Sequence, residues 1–164
     1  PDKITHTGDT DTSIRFPAAD TVTVETAGSE RVRVDSSGNV GKLAEIVGEA
    51  EGHLQVLAGS ASFFFPALAV GAAGGVMALA NIAPQTLIDL YHHHRRGEWR
   101  EGAVLQQRLV PVNTAVTAGF GVPGLKAAMD MLGYYGGPVR SPLRPLDDAG
   151  LQSLKAVLEQ GGVL

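Results

Sequence analysis

The chain has 164 residues with 44% hydrophobic content, a mean hydropathy of +0.07 and a formal charge of -4, enough to bury one real core. The mild acidity leaves no basic footprint for nucleic acid, and the absence of cysteine excludes disulfides and thiolate metal sites without identifying a compartment. The chain opens Pro-Asp-Lys, with no apolar leader and no initiator methionine, which reads as a fragment or a processed product.

Residues 1–40 are unlike the rest. They hold seven of the ten threonines (5, 7, 10, 12, 21, 23 and 26), no leucine, and seven acids against four bases. Alternation in Thr21-Val22-Thr23-Val24-Glu25-Thr26 and in Arg31-Val32-Arg33-Val34 predicts two short half-exposed strands. Ala27-Gly28-Ser29-Glu30 between them suits a hairpin loop. A third strand fits Thr12–Phe16, ended by Pro17. Three strands with few inward apolar groups do not make a stable domain alone, so this segment either pairs with something or is disordered.

From position 41 the chain is rich in Leu and Ala. Asn39 or Ser37 can cap a helix whose apolar positions Val40, Leu43, Ile46 and Val47 share a face. Leu54–Pro84 then contains no charged side chain. Within it, Leu54–Ala58 and Gly75–Ala80 have strand length and Ser62–Val70 has helical length. Gly59-Ser60-Ala61 and Gly71–Gly74 supply the turns. Strand, helix and strand, apolar throughout, predict a βαβ unit in a parallel sheet covered on both faces. The competing reading is a membrane span, since Phe63–Ala80 gives 18 uncharged residues. Pro66 and the glycines at 71, 74 and 75 weigh against it.

Pro84 opens a predicted helix with the stripe Leu87, Ile88 and Tyr91, closing at His92-His93-His94-Arg95-Arg96-Gly97. The next, Glu98 to about Thr117, is expected to pack Trp99, Ala103, Leu105, Leu109 and Val116 and to kink at Pro111. Gly119–Gly124 interrupts it. A short helix over Leu125–Leu132 and an irregular run Gly133–Leu146 follow, and Asp147 caps a last helix through Leu158.

Three features resemble chemistry. Adjacent helical residues point about 100° apart, so the His triplet cannot converge on one metal ion and reads as cations at a helix C-terminus. Gly133-Tyr134-Tyr135-Gly136-Gly137-Pro138 reads as a packed connection between helices. Gly59-Ser60-Ala61 stands at a strand's carboxyl end, where α/β folds bind ligands. No Gly-x-Ser-x-Gly elbow or partnered His makes Ser60 a nucleophile, which leaves Gly59 as the candidate for close main-chain approach to a substrate.

The stretches LQVLAGSA, GGVMALANIAP and FGVPGLKAAMDMLGYYGGPVRSPLRPL, with the closing helix, resemble the C-terminal part of the dihydrodipicolinate synthase/N-acetylneuraminate lyase family. Val40–Leu164 carries the likeness, and within the family it is most similar to 4-hydroxy-2-oxoglutarate aldolases. The resemblance implies an α/β fold: the C-terminal part of a (β/α)₈ TIM barrel with extra helices, here behind a small N-terminal β appendage. The implied domains are 1–38 and 39–164. It further implies a cytoplasmic lyase that acts on pyruvate or another 2-keto acid, binds no nucleic acid or membrane, uses no cofactor or metal, and assembles as a homo-oligomer, usually a tetramer. Such enzymes join pyruvate to a lysine on the sixth strand as a Schiff base, whose iminium serves as electron sink for cleavage or formation of a carbon–carbon bond.

In this chain Asp35-Ser36-Ser37-Gly38 matches the family's context, but Val34 occupies the lysine's place. The resemblance puts the family's substrate-contacting glycine at Gly59 and its main-chain contact on the eighth strand near Met77, and it implies no catalytic residue here. Lys3, Lys42, Lys126 and Lys155 are the only lysines, and nothing in residues 1–33 matches the family's tyrosine shuttle or carboxylate loop. Residues 8–40 resemble instead a β-repeat of bacteriophage tail-fibre-like proteins, and both resemblances share Asp35-Ser36-Ser37-Gly38-Asn39-Val40-Gly41. That overlap suggests a chimera joined at the common heptapeptide. Two functions follow: a fragment of a class I aldolase, inactive by itself, or a fibre-like oligomerising module fused to an aldolase remnant.

Overall fold

The computed structural model describes residues 3–6, 8–17, 21–35 and 38–164. Two compact units divide at Met77/Ala78. Ser36 and Ser37, on which part of the family context and one predicted cap fall, lie outside the described residues.

The first unit is built on a six-stranded sheet in sequential order. Strands β1 (Lys3–His6), β2 (Asp9–Arg15), β3 (Thr21–Thr26) and β4 (Ser29–Asp35) form an antiparallel meander. β4 then pairs in parallel with β5 (Gln55–Ala58), and β5 with the two-residue β6 (Gly74–Gly75). The two predicted hairpin strands and the third are present, and β1 extends the meander. The sheet therefore runs unbroken across the compositional change near residue 38. On its other edge β4 carries β3 in antiparallel register, with Val22 opposite Val34, so an antiparallel strand occupies the edge that a closed parallel barrel gives to another parallel strand.

Parallel strands need crossovers, and helices supply both. Helix α1 (Val40–Ala50) follows β4. Asn39 Oδ1 accepts the Lys42 N–H at 2.9 Å as its cap, and Glu51 ends it in the left-handed region. Leu43, 1% exposed, anchors its inner face. After β5, a 3₁₀ turn at Ala61–Phe63 leads into α2 (Phe64–Ala69), whose Phe64, Phe65, Ala67 and Leu68 are buried. Gly71 turns the chain back at φ +102°, and a Cβ there would stand 2.7 Å from Val47 Cγ1, so only glycine fits between α1 and the returning strand.

The strand expected over Gly75–Ala80 is shorter than its composition suggests. Ala73 N–H donates to Val56 O and Val76 N–H to Ala58 O, both at 2.8 Å, and then pairing stops. β6 lies at the sheet's edge, with no strand beyond it among the described residues to hold Met77–Ala80 extended, and Ala78–Asn81 coils into a 3₁₀ turn. No helix among the described residues is long and apolar enough to cross a membrane, which removes the span reading of Phe63–Ala80.

The second unit is helical: α3 (Pro84–Arg96), α4 (Trp99–Thr114), α5 (Gly121–Met131) and α6 (Asp148–Gln160). Pro84 sits in the first turn of α3 and Asp147 Oδ1 accepts the Gly150 N–H to cap α6, both as expected. α3 packs on α4, α5 on α6, and α4 on α6, around Leu87, Leu90, Leu109, Val112, Leu154 and Leu158. Pro111 lies inside α4 without ending it, and the chain widens just beyond into a π turn at Ala115–Gly119, where Phe120 N–H reaches Ala115 O. Of the residues expected to pack on α4, Leu109 and Val116 are buried, but Trp99 is 53% exposed; its ring meets His94 edge-on at 5.4 Å between centroids.

Candidate active site

The parallel strands fix where chemistry can sit. In register, Val34 pairs with Leu57 and Leu57 with Gly74; one step on, Asp35 pairs with Ala58 and Ala58 with Gly75. The carboxyl ends of β4, β5 and β6 thus lie side by side. Gly59 bends the chain one residue past this row, and Met77 follows two residues past it, beyond the end of β6. All three expected site positions, Val34, Gly59 and Met77, fall at one rim of one sheet, and each is half-buried.

Gly75 closes this rim, and composition alone does not point to it. A Cβ there would stand 2.7 Å from Met77 Cε, 3.1 Å from Met77 Sδ and 3.0 Å from Ala58 O. Met77 therefore folds back over Gly75 and covers the peptide at the end of β5. The only hint in the sequence is a glycine pair at a strand end, where backbones approach closely. Ser60, next to Gly59, accepts the Ser62 N–H at 3.3 Å and caps the short 3₁₀ turn.

Among the side chains described at the rim, none is charged. These side chains (Val34, Ala58, Ser60, Val76 and Met77) include no amine, and the first 77 residues contain no tyrosine. Lys3 and Lys42 lie on β1 and α1. In the helical unit, Lys126 Nζ donates to Gly136 O at 2.5 Å and Lys155 pairs with Glu159 at 3.7 Å. Among the described residues no group of three or more His, Asp or Glu could hold a metal ion.

The other two features resolve into structure. At the end of α3, Glu98 binds Arg96 through both carboxylate oxygens at 2.9 Å and His93 Nδ1 at 2.7 Å; Arg96 first, then His93, holds its carboxyl below the ordinary glutamate range. His92 and His94 instead meet the rings of Tyr91 and Trp99. A groove of about 750 Å³ beside them, lined by α3 and α4, mixes Arg96, Arg100 and Arg108 with Asp89 and Glu101 and offers no lysine. In the run 133–138 only Gly136 is buried, against the Lys126 backbone; Gly133 is exposed, and Tyr135 (84% exposed) and Tyr134 (55%) lie largely open, the Tyr135 ring beside Gly137.

Helix-covered parallel strands whose carboxyl ends converge define an α/β barrel-type site. The chain belongs to the dihydrodipicolinate synthetase family, whose model matches residues 33–161. Its architecture is the C-terminal part of a (β/α)₈ barrel with C-terminal helices behind an N-terminal β segment. It is 40% identical over 130 residues to a DapA-like lyase of Halobacterium salinarum, covering 79% of this chain and 42% of that protein. A 4-hydroxy-tetrahydrodipicolinate synthase of Methanoculleus marisnigri is 32% identical, with 78% and 44% covered. The crystal structure of an E. coli K12 prophage protein of the dihydrodipicolinic acid synthase family, in complex with pyruvate, superposes with a TM-score of 0.69 at 25% identity, covering 79% of this chain and 45% of that one. The chain spans about two fifths of the length of the curated relatives it matches.

Proposed function

We propose that this chain carries the strand-end rim of a pyruvate-dependent class I aldolase and does not itself form the Schiff base. The observation behind this is Val34. It occupies the β4 position that the family resemblance gives to the lysine, in register with Leu57 and one step before the row that leads to Gly59 and Met77. Valine offers no nucleophile, and none of the four lysines sits on β4, β5 or β6.

In this reading Gly59 offers main chain to a 2-keto acid and Met77 shapes the apolar side of the rim. The parental substrate class is pyruvate or a related 2-keto acid, most similar to that of 4-hydroxy-2-oxoglutarate aldolases, and the parental enzyme is a cytoplasmic homo-oligomer. Residues 1–38 are a β segment of separate origin, joined to the aldolase part at Asp35–Gly41 as in a chimera, although their strands continue its sheet.

Val34→Lys tests the reading. A Schiff-base lysine works when neighbouring groups desolvate it and position the substrate. The cross-strand partners of Val34 are Val22 and Leu57, neither of which carries a polar group, and no tyrosine lies in this unit to move a proton. The variant is expected to give no retro-aldol cleavage of 4-hydroxy-2-oxoglutarate above background in a pyruvate-release assay. Measurable turnover would mean that the rim is complete but for one amine, and would overturn the proposal of a rim without its machinery.

A further inference from the structure

The meander carries its apolar groups on the open side. Cross-strand register aligns Ile4, Ile14, Val24 and Val32 in one row across four strands, and Val22, Val34 and Leu57 in the next. Paired residues share a face, so both rows belong to one surface. On it Ile4 is 62% exposed, Ile14 41%, Val22 38% and Val24 37%, with Phe16 just past β2 at 46%. The opposite face is closed, although it is the polar one within the meander: Ser13, Thr21 and Thr23 are buried, in register with the side that includes Val56 and Ala58.

A contiguous apolar patch across four strands, roughly 400 Å² at these exposures, is comparable with the largest that monomers leave in water, and such patches often mark interaction sites. We propose that it is the seat of a second copy of this chain, packed sheet on sheet about a two-fold axis. The patch suits itself: its centre carries no charge, and two parallel rows of β-branched side chains can interdigitate with the same rows of a partner. Five open side chains from each copy, with Val32, Val34 and the polar margin around them, bring the buried area to roughly the 1,000 Å² that a specific interface requires. The same packing covers the face on which Val34 stands. The inference goes beyond the proposed function and does not depend on it, because it rests on the meander alone.

Sedimentation velocity of the full chain across a hundredfold concentration range tests it. A dimer is expected. Ile14→Lys combined with Val24→Glu leaves an attractive pair across β2 and β3, so the sheet is kept, and should weaken association at least tenfold. Val104→Glu, on an exposed position of α4, should not change it. Because the chain has no cysteine, Val22→Cys adds a second readout: its alkylation should slow as protein concentration rises, whereas that of Val104→Cys should not. A monomer at every concentration, a trimer, or a dimer indifferent to the paired charges and unprotected at Val22→Cys would each overturn the proposal.

Discussion

Replacing Gly136 with alanine is expected to destabilise the helical unit by about 3 kcal/mol, the upper end of what overpacking costs. The added Cβ would overlap the Lys126 carbonyl, with the carbonyl carbon of Lys126 at 2.7 Å, and a helix backbone cannot yield as a side-chain tip can. Moving the loop instead would break both of its charged tethers, the Gly136 N–H to Asp130 Oδ1 at 2.8 Å and the Lys126 ammonium to Gly136 O. Hydrogen bonds to charged groups contribute about 1.5–3 kcal/mol each, so either route is costly. Urea unfolding followed by Trp99, the chain's one tryptophan and a member of this unit, measures it. A loss below about 1 kcal/mol would mean that the connection between α5 and α6 is not held as the structure has it.

Leu109→Ala is expected to cost a similar amount, about 3 kcal/mol within the 2–5 range for a buried leucine. Leu109 is fully buried in α4 and faces a core that α3 and α6 also line. The contrast within one helix makes the result informative. Leu105, one turn earlier, is half-buried and should lose less, and Val104, 60% exposed, should change stability by less than about 0.5 kcal/mol. Equal losses at 105 and 109 would contradict the assigned helix face.

What the sequence made legible follows from how local each determinant is. Asn39, Pro84 and Asp147 cap or start helices through atoms within three residues, so their roles could be read directly. The charge-free run announced β5 and α2, but the cover on both faces that it also predicted is incomplete: Val56 and Ala58 are buried, while Leu57, on the open face of β5, is half-buried. Failures arise where a neighbour distant in sequence decides. The length of β6 depends on a strand that is not beside it, and the glycine pair at 74–75 cannot extend pairing alone. The orientation of Thr21–Val24 depends on β4: once Val34 aligns with Leu57, register forces Val22 and Val24 onto that same open face, against the rule that apolar groups point inward.

The candidate site was legible to the same degree. Val34 in place of a lysine is a fact of sequence, visible once the family context around Asp35 is recognised, and Gly59 follows from its place after an apolar strand. The fold of Met77 over Gly75 was not legible, because it depends on a side-chain direction at a strand end that has no periodicity to report it. Trp99 and the two tyrosines misled for a related reason: aromatic residues suggest burial by composition, yet here they lie at helix ends and in a loop held by glycine.

Whether this chain forms a Schiff base is decided by borohydride trapping of the native chain with pyruvate, read as intact mass and then by peptide mapping. With Val34 at the lysine's position and Lys3, Lys42, Lys126 and Lys155 all placed off β4, β5 and β6, no pyruvate-dependent adduct is expected. A reduced adduct on any one of those four lysines, formed with pyruvate and suppressed by a competing 2-keto acid, would contradict it.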